Sequence, residues 1–184
     1  FITGGTSPPS DTQDVVSQPS PFPMPTDLTT PPGGCDPTLP PLVEQTRTFL
    51  TGTNYCPPGT QTINGGETWT ATGAVKIYIS GELKINGHAT VGVASDPTLM
   101  RILMNTGSAA TMEGTITGST AVYAAIYGPQ ATINISGHAE VFGSVIAKQV
   151  NVSGSAAIHY DEATASITDI SNVYATSVIS WREL

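Results

Sequence analysis

A short phrase returns in this chain with small changes, and it constrains the fold more than any other feature. It reads INGHATV at residues 85–91, ISGHAEV at 135–141 and VSGSAAI at 152–158. A chain that repeats one turn-and-strand unit is expected to wind, because each unit buries its apolar side only against the next copy. The repeat therefore predicts an all-β protein that is a short right-handed parallel β-helix (β-solenoid).

The glycine of the phrase gives the spacing of the predicted coils. It stands at Gly87, Gly137 and Gly154, with Gly114 as the candidate in the coil between. The resulting intervals of 27, 23 and 17 residues are not multiples of six, so they lack the rhythm of left-handed hexapeptide helices and favour right-handed coiling. We expect these four glycines at coil corners, where the backbone often needs a positive φ.

Alternating apolar residues before the last two corners predict the register of the coils. Coils of a β-helix stack about 4.8 Å apart. The pattern predicts inward-facing ladders that join Ile133 to Val150 and Ile135 to Val152.

Proline is concentrated at the start of the chain. Residues 1–41 hold 11 of the 15 prolines, and proline fixes φ and cannot donate to a β ladder. We interpret this segment as extended, either a linker or an arm that docks on a neighbouring subunit. The docking candidates are the apolar residues Val15, Val16, Phe22, Met24 and Leu28.

The chain is accordingly divided into four segments. We expect an extended Pro-rich arm at 1–41, a transition or capping region at 42–73, the β-helix coils at 74–162 and a C-terminal cap at 163–184.

Composition excludes some classes of function. Only 11% of residues are charged and the formal net charge is −8, so nucleic-acid binding is not expected. No apolar run approaches the roughly 18–20 residues of a membrane helix, and we expect no membrane span. The chain begins at Phe1 without an initiator Met, which we interpret as a processed or truncated start.

Cys35 and Cys56 stand 21 positions apart, between the Pro-rich start and the repeats. A metal or redox pair is one interpretation. A disulfide is the one we favour, because the composition is that of an extracellular protein. Closing a loop of this size would contribute about 3 kcal/mol to stability.

The densest polar cluster is His159-Tyr160-Asp161-Glu162. It could hold a metal or an acid–base pair, but only His159 and Asp161 share one side of an extended strand. We interpret His159, Tyr160 and Asp161 as a structural clasp that closes the last coil. We expect no metal and no cofactor.

Two other sets of residues were weighed for chemistry. His88 and His138 occupy the same slot of the repeated phrase, and we expect solvated corner histidines. A carbohydrate-active enzyme would need clustered carboxylates, and the candidates are Glu113 stacked on Glu140 with Lys148 nearby. We expect no enzymatic activity.

The stretch that contains the last two repeats resembles the C-terminal β-helix domain of PilX-like, type IV pilus-associated proteins of bacteria, and in general style the bactofilins. The likeness covers roughly residues 66–184. It rests on Tyr127 and Pro129, on Ser136 to Gly143, on Ser153 to Ala163 with its HYDEA element, and on the ending Ser180 to Leu184. The resemblance implies a role at the cell surface in pilus or filament biogenesis. One departure is that such proteins normally begin with a prepilin-like hydrophobic helix, which this sequence does not show. Either the helix was removed, or the β-helix serves a different extracellular filament in which the Pro-rich arm would replace the helix as the connector between subunits.

Together these features predict an extracellular structural protein. We expect it to assemble with copies of itself into a surface filament or pilus-linked fibre, through stacking of β-helices and exchange of N-terminal arms. The alternative is a non-polymerising adhesin or minor pilus component that binds a surface or a glycan.

Overall fold

A computed structural model describes residues 34–104 and 113–167 of the chain. The predicted arm residues Val15, Val16, Phe22, Met24 and Leu28, and most of the predicted C-terminal cap, lie outside these ranges. The described strands are β1 (Thr46–Phe49), β2 (Asn54–Tyr55), β3 (Gln61–Ile63), β4 (Thr68–Ala71), β5 (Val75–Ile79), β6 (Leu83–Ile85), β7 (Thr90–Gly92), β8 (Met100–Met104), β9 (Glu113–Ile116), β10 (Ala121–Ile135), β11 (Glu140–Val152) and β12 (Ala157–Tyr160). Two short 3-10 helices span Pro97–Leu99 and Glu162–Ser166.

The named strands pair in parallel and stack into a β-solenoid with three faces, which confirms the predicted all-β class and β-helix. The first face contains β1, β4, β7, the beginnings of β10 and β11, and β12. The second contains β2, β5, β8 and the middle parts of β10 and β11. The third contains β3, β6, β9 and the ends of β10 and β11.

The coils begin earlier than the sequence predicted. One column of the first face runs through Thr46, Thr68, Thr90, Ala121, Glu140 and Ala157, so successive coils are 22, 22, 31, 19 and 17 residues long. The predicted boundary at residue 74 was therefore wrong. The segment assigned to a transition region contains the first coil and the start of the second.

The core is a set of inward-facing apolar ladders. The predicted pairs Ile133–Val150 and Ile135–Val152 are both confirmed by the register of β10 and β11. At the N-terminal end the ladders become aromatic, with the ring of Phe49 lying 5.0 Å from that of Tyr55 and 5.1 Å from that of Trp69. These large rings fill the interior at this end, where the Thr-rich sequence offers few other apolar side chains.

The corner between the third and first faces uses glycine in every coil, but Gly114 was the wrong choice for the middle one. Gly114 lies inside β9, opposite Leu83 and Ile133. Its place at the corner is taken by Gly118, whose Cα lies between the backbones of Gly87 and Gly137.

The corner at Gly118 was not recognised in the sequence because a threonine, Thr120, replaces the alanine of the repeated phrase. Thr120 is only 1% exposed. Its hydroxyl lies within hydrogen-bond distance of the carbonyl oxygens of Thr117 (2.6 Å) and Asn86 (2.9 Å). A threonine is tolerated in this interior slot because its hydroxyl has a backbone acceptor.

The turn geometry of the corner changes along the solenoid. In the first two coils the third residue of the turn has positive φ, at Gly66 (85°) and His88 (67°). In the later coils the glycine itself has positive φ, as at Gly137 (75°). His88 and His138 therefore share a slot but not a backbone conformation, and Ser119 lies in the slot between them.

Replacing His88 by glycine is expected to leave stability unchanged or raise it by up to about 1 kcal/mol. A residue with a side chain is strained by about 1–2 kcal/mol at the positive φ of position 88, and glycine removes this strain. The gain offsets the conformational entropy that glycine loses on folding, about 0.5–1 kcal/mol. His138→Gly is the matched control, and it should destabilise by about 0.5–1 kcal/mol because no strain is relieved there. Urea unfolding of both variants measures the difference, and equal losses in the two would contradict the expectation.

Residues 34–45 cover the N-terminal end of the solenoid. Asp36 bridges to Tyr55 as an additional parallel layer, and Cys35 is bonded to Cys56 with the two Cα atoms 5.6 Å apart. The Arg47 guanidinium donates to the carbonyl oxygen of Pro40 at 2.6 Å. The disulfide predicted from the sequence is thus present, and it ties this covering layer to the first coil.

Candidate assembly surfaces

The C-terminal end of the solenoid is an open strand edge. β12 covers only the beginning of β11, pairing with Glu140 to Gly143. Within the described ranges no strand pairs with the far side of residues 144–152, so this stretch presents unpaired N–H and C=O groups along two faces. Such an edge is a template for another strand.

The same end exposes side chains that belong to the core ladders. Val150 and Val152 are 37% and 48% exposed, whereas their partners one coil above, Ile133 and Ile135, are 1% and 0% exposed. Ile158 is likewise 38% exposed below the fully buried Val141. Among the described residues, the apolar ladders therefore end at this coil without a further coil to cover them.

The N-terminal end is closed by backbone but still presents apolar side chains. Leu42, Val43 and Leu50 are all exposed. A tight turn at Glu44 and Gln45, both with positive φ, brings Val43 and Thr46 into antiparallel pairing. A shallow recess of about 370 Å³ lies beside it, lined by Pro40, Pro41, Val43, Glu44, Thr46 and Thr48.

An aromatic ladder runs along the outer side of the first face near the open end. The rings of Tyr123 and Phe142 lie 5.0 Å apart, and those of Phe142 and His159 lie 4.5 Å apart. The planes are inclined by only 15° and 11°, so the rings cover one another and turn their edges to solvent. Glu140 lies beside the ladder, with its carboxylate 3.6 Å from His159 Nε2.

The predicted clasp residues have different surroundings. Asp161 ends the last strand: its carboxylate accepts the Ala163 N–H at 2.9 Å and begins the 3-10 helix that follows. His159 stacks on Phe142, and Tyr160 is 63% exposed. Asp161 therefore terminates the coil in the way expected, whereas His159 belongs to the aromatic ladder, which the sequence did not predict.

The residues weighed for carbohydrate chemistry are not brought together. Glu113 lies on the third face opposite Thr132, whereas Glu140 lies on the first face opposite Ala121 and Ala157. The two residues therefore lie in different columns of the solenoid. In residues 34–104 and 113–167 no group of three or more His, Cys, Asp or Glu side chains could hold a metal ion.

No helix in the described part of the chain is long and apolar enough to cross a membrane.

The sequence signal for the aromatic ladder exists but is hard to recognise. Its members stand 19 and 17 residues apart, the lengths of the last two complete coils. Each follows an inward valine or isoleucine by one position, at Val122, Val141 and Ile158. The column can be found only once the coil lengths are known, because the intervals are unequal.

Comparison with known proteins gives one family. A family model described as "Domain of unknown function (DUF7305)" matches residues 46–167. The match begins with the first residue of β1 and ends one residue after the 3-10 helix that follows β12, so it spans the solenoid as described above. No curated protein and no solved structure matches the chain.

Proposed function

We propose that this chain, which belongs to the DUF7305 family, is an extracellular structural protein that assembles with copies of itself into a surface filament or pilus-linked fibre. Its solenoids stack end to end, and N-terminal arms are exchanged between neighbours. The observation that carries the proposal is the open C-terminal end, where the apolar ladders and the strand edge are exposed together.

A second copy is the occupant that fits this end best on physical grounds. Adding a coil would satisfy the free backbone groups of residues 144–152 and cover Val150, Val152 and Ile158 at once. The other end of the molecule also offers apolar side chains, Leu42, Val43 and Leu50. Contact between two different ends is a heterologous interface, which extends into an open filament when the rotation does not close a ring.

Two observations support the proposed location of the protein at the cell surface. The Cys35–Cys56 disulfide is compatible with an oxidising, extracellular compartment. The resemblance of the last coils to PilX-like pilus-associated proteins favours a pilus or a related filament as the setting.

Replacing Val152 by lysine tests the proposal. The side chain is half-exposed in the single chain, so the monomer should fold, but in a stack the ammonium group would be buried without a partner. We expect the concentration needed for assembly to rise at least tenfold, a loss of about 1.4 kcal/mol or more per contact. Sedimentation and negative-stain electron microscopy of the purified protein measure this.

His138→Lys is the matched control for that variant. It adds the same charge at an exposed corner on the side of the solenoid rather than at its end. Its assembly should equal that of the wild type. Equal assembly by both variants, or a wild-type protein that stays strictly monomeric at high concentration, would contradict stacking through the open end.

The alternative is an adhesin or minor pilus component that binds a surface or a glycan without polymerising. The aromatic ladder of Tyr123, Phe142 and His159 favours it, because exposed aromatic side chains recur in binding surfaces. Sugar rings stack on aromatic faces, however, and here the rings of Tyr123 and His159 cover the two faces of Phe142. A monomeric wild type that binds a glycan, with binding lost in Phe142→Ala, would favour this alternative.

A further inference from the structure

The outer side of the second face carries an apolar column that the stacking proposal does not use. Tyr78, Leu103, Tyr127 and Ile146 pair in register down successive coils, and Cys56 packs at their upper end. We call these five residues the outer stripe. Their chain neighbours Ile77, Ile102 and Ile126 point into the core, so the stripe points outward.

The outer stripe is buried although it faces away from the core. Leu103 and Tyr127 are each 2% exposed, whereas Ile146 at the lower end is 43% exposed. Among the described residues, the partly buried apolar side chains that pack against Tyr78, Leu103 and Tyr127 are those of Cys35 and Cys56, at the upper end of the stripe. The third face differs, because its outer side carries Asn134 and Asn151, joined by a side-chain hydrogen bond of 2.8 Å.

Tyr127 also presents a polar group in need of a partner. Its hydroxyl is buried and lies within hydrogen-bond distance of no acceptor in the described ranges. Burial raises the pKa of this phenol above its ordinary value of 10.0, so the group keeps its proton and is a hydrogen-bond donor. A buried donor of this kind calls for a carbonyl acceptor in whatever covers the stripe.

We propose that the N-terminal arm, residues 1–33, docks along the outer stripe of its own chain. The arm continues directly into Gly34 and Cys35, and the disulfide fixes Cys35 at the top of the stripe. This tether gives the arm a high effective concentration at the surface that it would cover.

The sequence of the arm suits this surface chemically. A Pro-rich segment favours the polyproline II conformation, which forms no internal hydrogen bonds and leaves its carbonyl groups free to accept. Grooves lined by aromatic side chains bind such segments, and the stripe offers two tyrosine rings together with the Tyr127 donor.

The dimensions agree as well. The stripe from Cys56 to Ile146 covers four coil spacings, roughly 19 Å. At about 3.1 Å per residue, six or seven residues span this distance, and the arm has 33. If the docked arm adopts the polyproline II conformation, with three residues per turn, Phe22, Pro25 and Leu28 would recur on one side at intervals of about 9.3 Å, close to two coil spacings.

This inference deepens the proposed function by naming the surface to which the arm binds. The arm is long enough to continue beyond its own stripe, and exchange would move the same contact to the neighbour. The docking of the arm on its own chain is tested on dilute monomer. A negative result would therefore leave end-to-end stacking unaffected. A protein that does not stack could likewise still dock its arm.

A photo-crosslinking experiment on the full chain tests the docking. A benzoylphenylalanine replaces Ile146, the exposed end of the stripe, in an equal mixture of isotopically light and heavy protein. We expect the main product to join position 146 to a peptide from residues 1–33 of the same isotope. Crosslinks to residues 105–112, to residues 168–184 or to another copy would overturn the proposal, as would a lack of protein crosslinks.

Tyr127→Phe gives a second measurement that does not depend on the probe. Loss of the hydrogen bond to the arm should speed cleavage of the folded protein at Asp27 by an Asp-specific protease about fivefold. Tyr123→Phe, on the first face of the same strand, is the matched control and should cleave at the wild-type rate. Equal rates in wild type and Tyr127→Phe would overturn the hydrogen bond to the arm.

Discussion

Replacing Gly92 by alanine is expected to destabilise the protein by about 2–5 kcal/mol. Gly92 has a φ of 93°, and a Cβ built there would lie 1.8 Å from the carbonyl oxygen of Tyr123 in the next coil. The backbone strain accounts for about 1–2 kcal/mol, and displacement of the neighbouring strand for about 1–3 kcal/mol or more. Urea unfolding of the wild type and the variant measures the loss.

Gly66→Ala separates the two causes. Gly66 has a similar φ of 85°, but a Cβ there meets no heavy atom within 4 Å. We expect this control to lose only the strain, about 1–2 kcal/mol. Equal losses of unfolding free energy in the two variants would contradict the idea that the close approach of the coils requires glycine at position 92.

Replacing Trp69 by alanine is expected to cost about 3–5 kcal/mol, the range for truncating a large aromatic side chain in a core. Trp69 is 2% exposed and packs on Phe49 beneath the covering layer of the N-terminal end. Its removal leaves a cavity that the stacked strands cannot close, because the strand spacing is fixed by hydrogen bonds. The midpoint of urea unfolding, followed by circular dichroism, measures the loss.

Trp69→Phe should be much milder, about 1 kcal/mol or less. Phenylalanine keeps the ring contact with Phe49 and removes the indole N–H, which is buried and has no hydrogen-bond partner in the described ranges. Removing a buried, unsatisfied donor relieves about 1–3 kcal/mol, which offsets most of the lost volume. A loss as large as that of Trp69→Ala would argue that the indole N–H is satisfied in solution.

Much of the fold could be predicted from the sequence because the information is local. The repeated turn phrase marks corners, and the apolar alternation before each corner gives the register between the last two coils. Ile133–Val150 and Ile135–Val152 follow from these two features alone. The first coils were missed because their large rings, such as Phe49 and Trp69, stand far apart among threonines and show no short period.

The candidate surfaces could be predicted only in part. That a solenoid has two ends follows from the winding, but which end is open depends on where the last strands stop. β12 stops at Tyr160, after covering only the first face of the coil above it. Glu113 and Glu140 lie on different faces, which counting the intervals between residues does not show.

The sequence by itself determined that this chain winds and where its last corners lie, because turn chemistry and strand alternation act between near neighbours. Only the tertiary structure decided which residues meet across coils of unequal length. It joined Tyr123, Phe142 and His159 in one ladder, buried Leu103 and Tyr127 in the outer stripe, and left Val150 and Val152 exposed at the open end. The physical reason is that the length of each coil decides which residues of successive coils lie in register. The number of stacked coils then decides whether the last residue of such a column is covered by another coil.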